Sequence, residues 1–472
     1  MKTLCCMMMM AGAALPLFAQ EGAEAVEAES PKALKWNGGG DFRVRQEIYD
    51  RLPGTGGNIS KYNSYFRMRA RAWGEVKNED FTLYARVADE FREYARKPGH
   101  RYGETPGELI LDNLYLDLKN LFGGHLDLRI GRQDFMQGPN FIYGSGRIIA
   151  DGTPMDGSRT FFFDAARAVV KFDDKNTLDV VGLYNSDKTF SLGTPHAIGG
   201  DYLPLNCIEP WAQGLVEWGG FLYFKSKEVE QLPFDLYYIY AQKSSYALLN
   251  GTKMQGRRLN TFGFRVAPKI TDDLSAEIEF ATQYGYRDDG KIIGGQMGYA
   301  GLTYKLPSGD SGVKPYTTLS VLWMSGERHK SSPGMADRSW DPLWARYTFL
   351  VSEMYVYRGI SGVGYWSNLV FPSLEMGAKW AFSEGGNEHA AFATFGPMLV
   401  ETDDHLGGGD GSLYGYYLRT RYDFPILMGF ISKEKKRGNL FGHLTAEFLE
   451  PGNYCTSHKM AYFLRWEISI TF

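Results

Sequence analysis

The sequence predicts an all-β protein: a transmembrane antiparallel up-and-down β-barrel of about eighteen strands, with short periplasmic turns and long extracellular loops. Three observations carry that expectation. From Trp36 onward the chain falls into runs of about ten to fourteen residues in which apolar and polar positions alternate. The spacers between the runs sort into short and long, and the last run closes on a terminal aromatic residue, Phe472. A β-strand turns successive side chains to opposite faces, so such runs fit a wall with lipid outside and water inside.

The N-terminus comes first. Lys2 precedes an apolar run from about Leu4 to Phe18, followed by small residues, which is the pattern of a secretory signal peptide over 1–19. Residues 20–35 are acidic and Ala-rich, a flexible lead-in. The barrel is expected over 36–472. No other segment has the length of uninterrupted apolar residues that a transmembrane helix needs. Two cysteines remain beyond the leader, Cys207 and Cys455, and an exported chain permits a disulfide between them.

Composition agrees without deciding. Aromatics make up 15% of the chain, there are 56 glycines, and the mean hydropathy is −0.31, which suits aromatic girdles around a polar interior. The same figures suit a secreted sugar-binding β-protein. A formal net charge of −4 gives no reason to expect nucleic acid.

Strands are expected near 36–49, 62–75, 80–92, 108–120, 125–134, 160–173, 177–187, 214–226 and 234–243. They continue near 256–269, 274–287, 291–306, 313–324, 371–383, 388–402, 412–426, 438–450 and 459–472. Short spacers such as "VKNED", "LFGG", "DDKN" and "ITDD" alternate with stretches such as 93–107, 135–159, 188–213 and 325–370. The last of these is long enough to hold a further hairpin. The final strand, "AYFLRWEISITF", sets Tyr462, Leu464, Trp466, Ile468, Ile470 and Phe472 against Phe463, Arg465, Glu467, Ser469 and Thr471. Its terminal Phe472 is the kind of signal the barrel-assembly machinery reads.

The charged faces must point inward, because an Arg or Lys on the lipid face at mid-bilayer costs about 2–4 kcal/mol. "YFRMRARAW" puts Arg67, Arg69 and Arg71 on one face, and no carboxylate on that short stretch answers them. Neighbouring runs add Arg43, Arg45 and Glu47; Arg86; Asp127 and Arg129; Arg167; Arg419 and Arg421; and Arg465. Further inward acids are Asp117, Glu277, Glu279 and Glu375. Two roles fit these residues: cross-strand ion pairs that brace the wall, and a cationic path for an anionic solute.

Residues 111–172 carry spaced landmarks: Gly131-Arg132-Gln133, then Gly144, Gly146 and Arg147, then Asp151, then Arg159-Thr160-Phe161 and Asp164. In this order they resemble the alginate export family of outer-membrane barrels. The chain differs from that pattern in having Gly152 after the loop aspartate and Ala165 after Asp164. The resemblance implies an eighteen-stranded pore whose electropositive constriction passes a polyanionic sugar, with Arg129, Arg132, Arg147 and Arg159 as its constriction residues.

No nucleophile elbow or His-Glu-x-x-His motif occurs, and the eight histidines are scattered. His443 is expected to face inward with Thr445 and Glu447. No catalytic residue, cofactor or metal is implied. The expectation is therefore a passive pore in the outer membrane of a Gram-negative-type bacterium, conducting an anionic polysaccharide or a related anionic or sugar-like solute. The alternative is a general or substrate-specific uptake porin. Expected partners are outer-membrane lipid, the solute, the assembly machinery and periplasmic export or uptake components.

Overall fold

The structure, a computed structural model, describes residues 33–54, 57–96, 110–134, 163–186, 212–213, 216–248, 253–309, 312–327, 337–341, 343, 367–381, 388–403, 407–426 and 439–472. The leader, most of the lead-in, Cys207, Arg147 and Arg159 lie outside the described residues.

Eighteen strands form the wall. The first six are β1 (Lys35–Asp50), β2 (Asn63–Lys77), β3 (Phe81–Arg96), β4 (Ile110–Asn120), β5 (Leu126–Gln133) and β6 (Phe163–Lys171). Next come β7 (Asn176–Ser186), β8 (Val216–Ser226), β9 (Phe234–Lys243), β10 (Arg257–Val266), β11 (Leu274–Arg287) and β12 (Gln296–Lys305). The last six are β13 (Lys314–Met324), β14 (Leu369–Trp380), β15 (His389–Leu399), β16 (Leu413–Pro425), β17 (Asn439–Pro451) and β18 (Ala461–Thr471). Each pairs antiparallel with its chain neighbours, and β18 returns to β1 with Asp41 opposite Thr471 and Asp50 opposite Tyr462. The sheet has no edge. The sequence expectation differs most at β12, where Gly294 and Gly295 separate the short strand Ile292–Ile293 from the main run.

Alternation sets the two faces. Phe42, Leu83, Ile130, Leu236, Phe262, Leu319, Met376, Phe395 and Leu444 are exposed on the outside, Leu319 by 64%. Such a band is tolerable only against lipid, so the chain is an outer-membrane β-barrel. Two aromatic belts flank it. Trp218 packs on Tyr240, and Tyr284 on Tyr286, toward the long-loop end. Trp380, His389 and Tyr422 stack toward the short-turn end.

The short turns cap themselves. Asn78, Asp173 and Thr271 each accept two backbone N–H bonds from the residues two and three positions on. Between β4 and β5 the chain turns through positive φ at Asn120, Phe122, Gly123 and Gly124, which the two glycines allow at no steric cost. Sorted loops place these turns on the periplasmic side.

Candidate functional site: the lumenal wall

The arginines of β2 do not stand alone. Register sets Arg67 directly opposite Arg45 and Arg69 directly opposite Arg43. Like charges facing each other across strands oppose pairing, so this arrangement needs carboxylates between them. Glu47 supplies one: it lies 2.6 Å from Arg465, 2.9 Å from Arg45 and 3.6 Å from Arg67. Asp41 supplies another, 2.7 Å from Arg71 and 3.4 Å from Arg69. Glu467 adds contacts to Arg43 at 3.8 Å and Arg45 at 3.6 Å, and His443 Nδ1 lies 3.9 Å from it. The apparent absence of acids on the β2 run is thus corrected by its neighbours β1 and β18.

The cluster nonetheless carries a surplus. Over the stretches 419–423, 443–447, 465–467, 41–47 and 65–71 of β16, β17, β18, β1 and β2 the inner face holds eight arginines: Arg43, Arg45, Arg67, Arg69, Arg71, Arg419, Arg421 and Arg465; nearer the short turns Glu75 is paired with Lys77. Against them stand five carboxylates: Asp41, Glu47, Asp423, Glu447 and Glu467. That leaves three positive charges in excess within the span. The side chains of Arg45 and Glu47 are 0% exposed and that of Arg67 is 1%, so these three brace the wall, whereas Arg71 keeps 16% open to the lumen.

From β4 to β14 the inward charges are held in ion pairs or by hydroxyl donors. Arg129 binds Asp117 through two bonds of 2.6 and 2.9 Å and lies 3.9 Å over the Tyr115 ring. Arg167 and Lys225 share Asp179 at 3.0 and 3.4 Å, and Lys171 holds Asp127 at 2.6 Å. Arg265 joins Glu277 at 2.8 Å and Asp235 at 3.3 Å. Tyr237 donates to Glu279, while Tyr316 and Thr394 donate to Glu375. On β3, Arg86 is held by Asp112 at 2.9 Å and Asp134 at 2.7 Å; Asp112 sits where the β3–β4 register slips.

Arg132 is not a lumen residue. It alternates with Arg129 and shares the outward face of Leu128 and Ile130, opposite Leu114. There it binds Asp164 at 2.8 and 3.1 Å, tying β5 to β6 on the lipid side near the extracellular rim. The other implied constriction residues, Arg147 and Arg159, and their landmarks Gly144, Gly146 and Asp151, fall outside the described residues.

Two features of the inner wall go beyond the sequence reading. First, the side facing the arginine cluster carries an apolar layer among its ion pairs. Leu183, Phe221, Ile239, Leu259, Ala281, Leu322 and Phe371 alternate with lipid-facing residues yet are buried inside. The middle of strands such as "FDLYYIYAQK", here 236–241, is apolar on both faces, and that loss of alternation is the signal for a packed interior.

Second, part of the long loop between β13 and β14 lies on the inside. Asp341 binds Arg257 at 2.6 Å, and Gln283 clamps its backbone, accepting from its N–H at 2.9 Å and donating to its carbonyl at 2.7 Å. Asp337 pairs with the short strand beside Ile293, and Trp340 and Leu343 are buried. Gly295 permits the approach: a Cβ there would lie 2.6 Å from the Ser339 carbonyl oxygen and 2.8 Å from Trp340 Cα. The described part of this loop forms an inward segment and no hairpin.

Among the described residues no group of three or more metal-ligating side chains converges, and Cys455 is a free, buried thiol. Cys207, the other half of the permitted disulfide, lies outside the described residues.

No family model matches the chain, and no curated protein matches it. The alginate-export resemblance accordingly rests on its motif alone. Solved structures do match as whole barrels. OccAB1 of Acinetobacter baumannii aligns with a TM-score of 0.53 at 11% identity, over 95% of this chain and 99% of that one. OccK5 (OpdH) of Pseudomonas aeruginosa gives 0.50 at 13% identity, over 92% and 98%. OccD3 (OpdP) of the same organism gives 0.50 at 10% identity, over 92% and 91%. Identities this low speak for the fold: a closed eighteen-stranded barrel spanning the whole chain.

Proposed function

We propose that the chain is a passive outer-membrane porin that admits small anionic solutes. The observation that carries this reading is the surplus of three positive charges among the thirteen inner-face side chains counted above from β16 to β2. A wall of one sign facing a low-dielectric wall focuses the field in the water between them and raises the local concentration of the opposite ion. The apolar layer of Ile239, Leu259, Leu322 and Phe371, set among neutralised ion pairs, supplies that second wall.

Most of the arginines act through the field. Arg45 and Arg67 are too deeply buried to touch a solute, and Arg71 is among the more open members of the cluster. Balanced pairs elsewhere keep binding weak enough for release, as conduction requires. The filled apolar side and the inward segment 337–343 favour small solutes over a sugar polymer. With no energy source in the chain, direction follows the gradient, and consumption inside the cell makes that uptake.

Permeation into proteoliposomes tests this. A small carboxylate should enter faster than an ammonium compound of equal size, and a long uronate polymer should be excluded. Equal rates for the two small ions would refute anion preference, and passage of the polymer would restore the polysaccharide reading.

A further inference from the structure

Three lumen-facing tyrosines have their hydroxyls tied to carboxylates: Tyr223 to Asp235, Tyr237 to Glu279 and Tyr316 to Glu375. These rings serve the wall. Two others differ. Tyr84 on β3 and Tyr115 on β4 face each other directly across the strands, stacked at 5.0 Å and 16°. Trp73 on β2 stacks on the far side of Tyr84 at 5.9 Å and 19°, and the Arg129 guanidinium lies 3.9 Å over Tyr115. The row crosses four strands. Trp73 shares a face with Arg71, Tyr84 with Arg86 and Tyr115 with Asp117, two residues apart on their strands, which places all of them on the inner face.

The polar atoms of the three rings, Trp73 Nε1, Tyr84 Oη and Tyr115 Oη, have no hydrogen-bond partner among the described residues, and none of them is sealed from solvent. The charges around them are already committed: Arg86 to Asp112 and Asp134, Arg129 to Asp117, Arg71 to Asp41. What remains available to a passing solute is a set of uncharged donors. Stacking fixes each ring against its neighbour, so the donors are presented at little entropic cost.

We infer that Trp73, Tyr84 and Tyr115 form a hydrogen-bonding subsite in the lumen that selects hydroxyl-bearing organic anions over equally charged solutes without hydroxyls. The inference rests on the anion-porin reading and deepens it. The arginine surplus attracts the charge, and the aromatic row reads the rest of the molecule. Phenol and indole edges suit solute hydroxyls, because a hydroxyl both accepts from them and tolerates rotation.

The test compares gluconate with hexanoate, carboxylates of equal carbon number with and without hydroxyls, through the full-length protein in planar bilayers. Tyr84→Phe with Tyr115→Phe keeps both rings and the stack and removes both donors. The gluconate-to-hexanoate permeability ratio should fall about tenfold, the effect of losing two ordinary hydrogen bonds. Each single variant should give about a threefold fall, which keeps the comparison open if the double variant inserts poorly. An unchanged ratio in variants that remain anion-selective would overturn the subsite and leave the porin reading standing. Cation selectivity in the unmodified protein would overturn the porin reading itself.

Discussion

Changing Glu47 to Gln isolates the energetics of the buried charge cluster. The side chain is 0% exposed and approaches Arg465, Arg45 and Arg67 at 2.6, 2.9 and 3.6 Å. At an effective dielectric constant near 20, each unit-charge contact at about 3 Å is worth roughly 5 kcal/mol before desolvation. Burying the ions takes back most of that. Removing one partner leaves the desolvation of the others uncompensated, and such losses run to about 3–5 kcal/mol. Glutamine keeps the volume and the hydrogen-bonding shape, so packing changes little.

The assay is reversible urea unfolding in lipid bilayers, with Glu228→Gln beside it. Glu228 meets Lys175 at 3.6 Å with both side chains more than half exposed, and a pair of that kind contributes about 1 kcal/mol or less. Glu47→Gln should therefore lose several times more stability than Glu228→Gln. If the two variants unfold alike, the cluster is not a desolvated brace and the physical reasoning about the arginine wall fails.

Other outcomes follow from particular contacts. Gly295→Val drives a side chain into the Ser339 carbonyl and Trp340; overpacking costs about 1–3 kcal/mol, relieved by displacing segment 337–343, so single-channel conductance should rise. An unchanged conductance would show that this segment does not narrow the path. Burial pushes the Cys455 thiol up to about 12, so it should resist alkylation near pH 8 in the folded barrel and react on denaturation. Phe472 exchanges both backbone bonds with Gly40 at 2.8 and 3.0 Å. Phe472→Asp should lower the yield of heat-modifiable barrel in membranes while leaving precursor synthesis intact.

The strands were legible because lipid on one side and water on the other impose period two on every run, and because loop length marks the two ends of the barrel. All eighteen can be placed in this way. Register was not legible. That Glu47 and Asp41 answer Arg67, Arg69 and Arg71 depends on how far β1 slides along β2, and neither strand encodes that slide by itself. The apolar inner side was hidden for a different reason: in β9, Tyr237 and Ile239 look like their lipid-facing neighbours Leu236 and Tyr238. Arg132 was within reach. Parity from Asp127 and Arg129 already puts it outside, and only the motif drew it inward. The clamp of Gln283, Arg257 and Asp341 joins residues far apart in the chain, which no local pattern announces.

Zero-current potential in a potassium chloride gradient across a planar bilayer bears most directly on the arginine surplus. The unmodified barrel should be anion-selective. Replacing Arg67, Arg69 and Arg71 by Gln removes three positive charges, the whole of the surplus among the thirteen side chains counted, and selectivity should fall to near neutral. Cation selectivity in the unmodified protein, or a triple variant as anion-selective as the original, would contradict it.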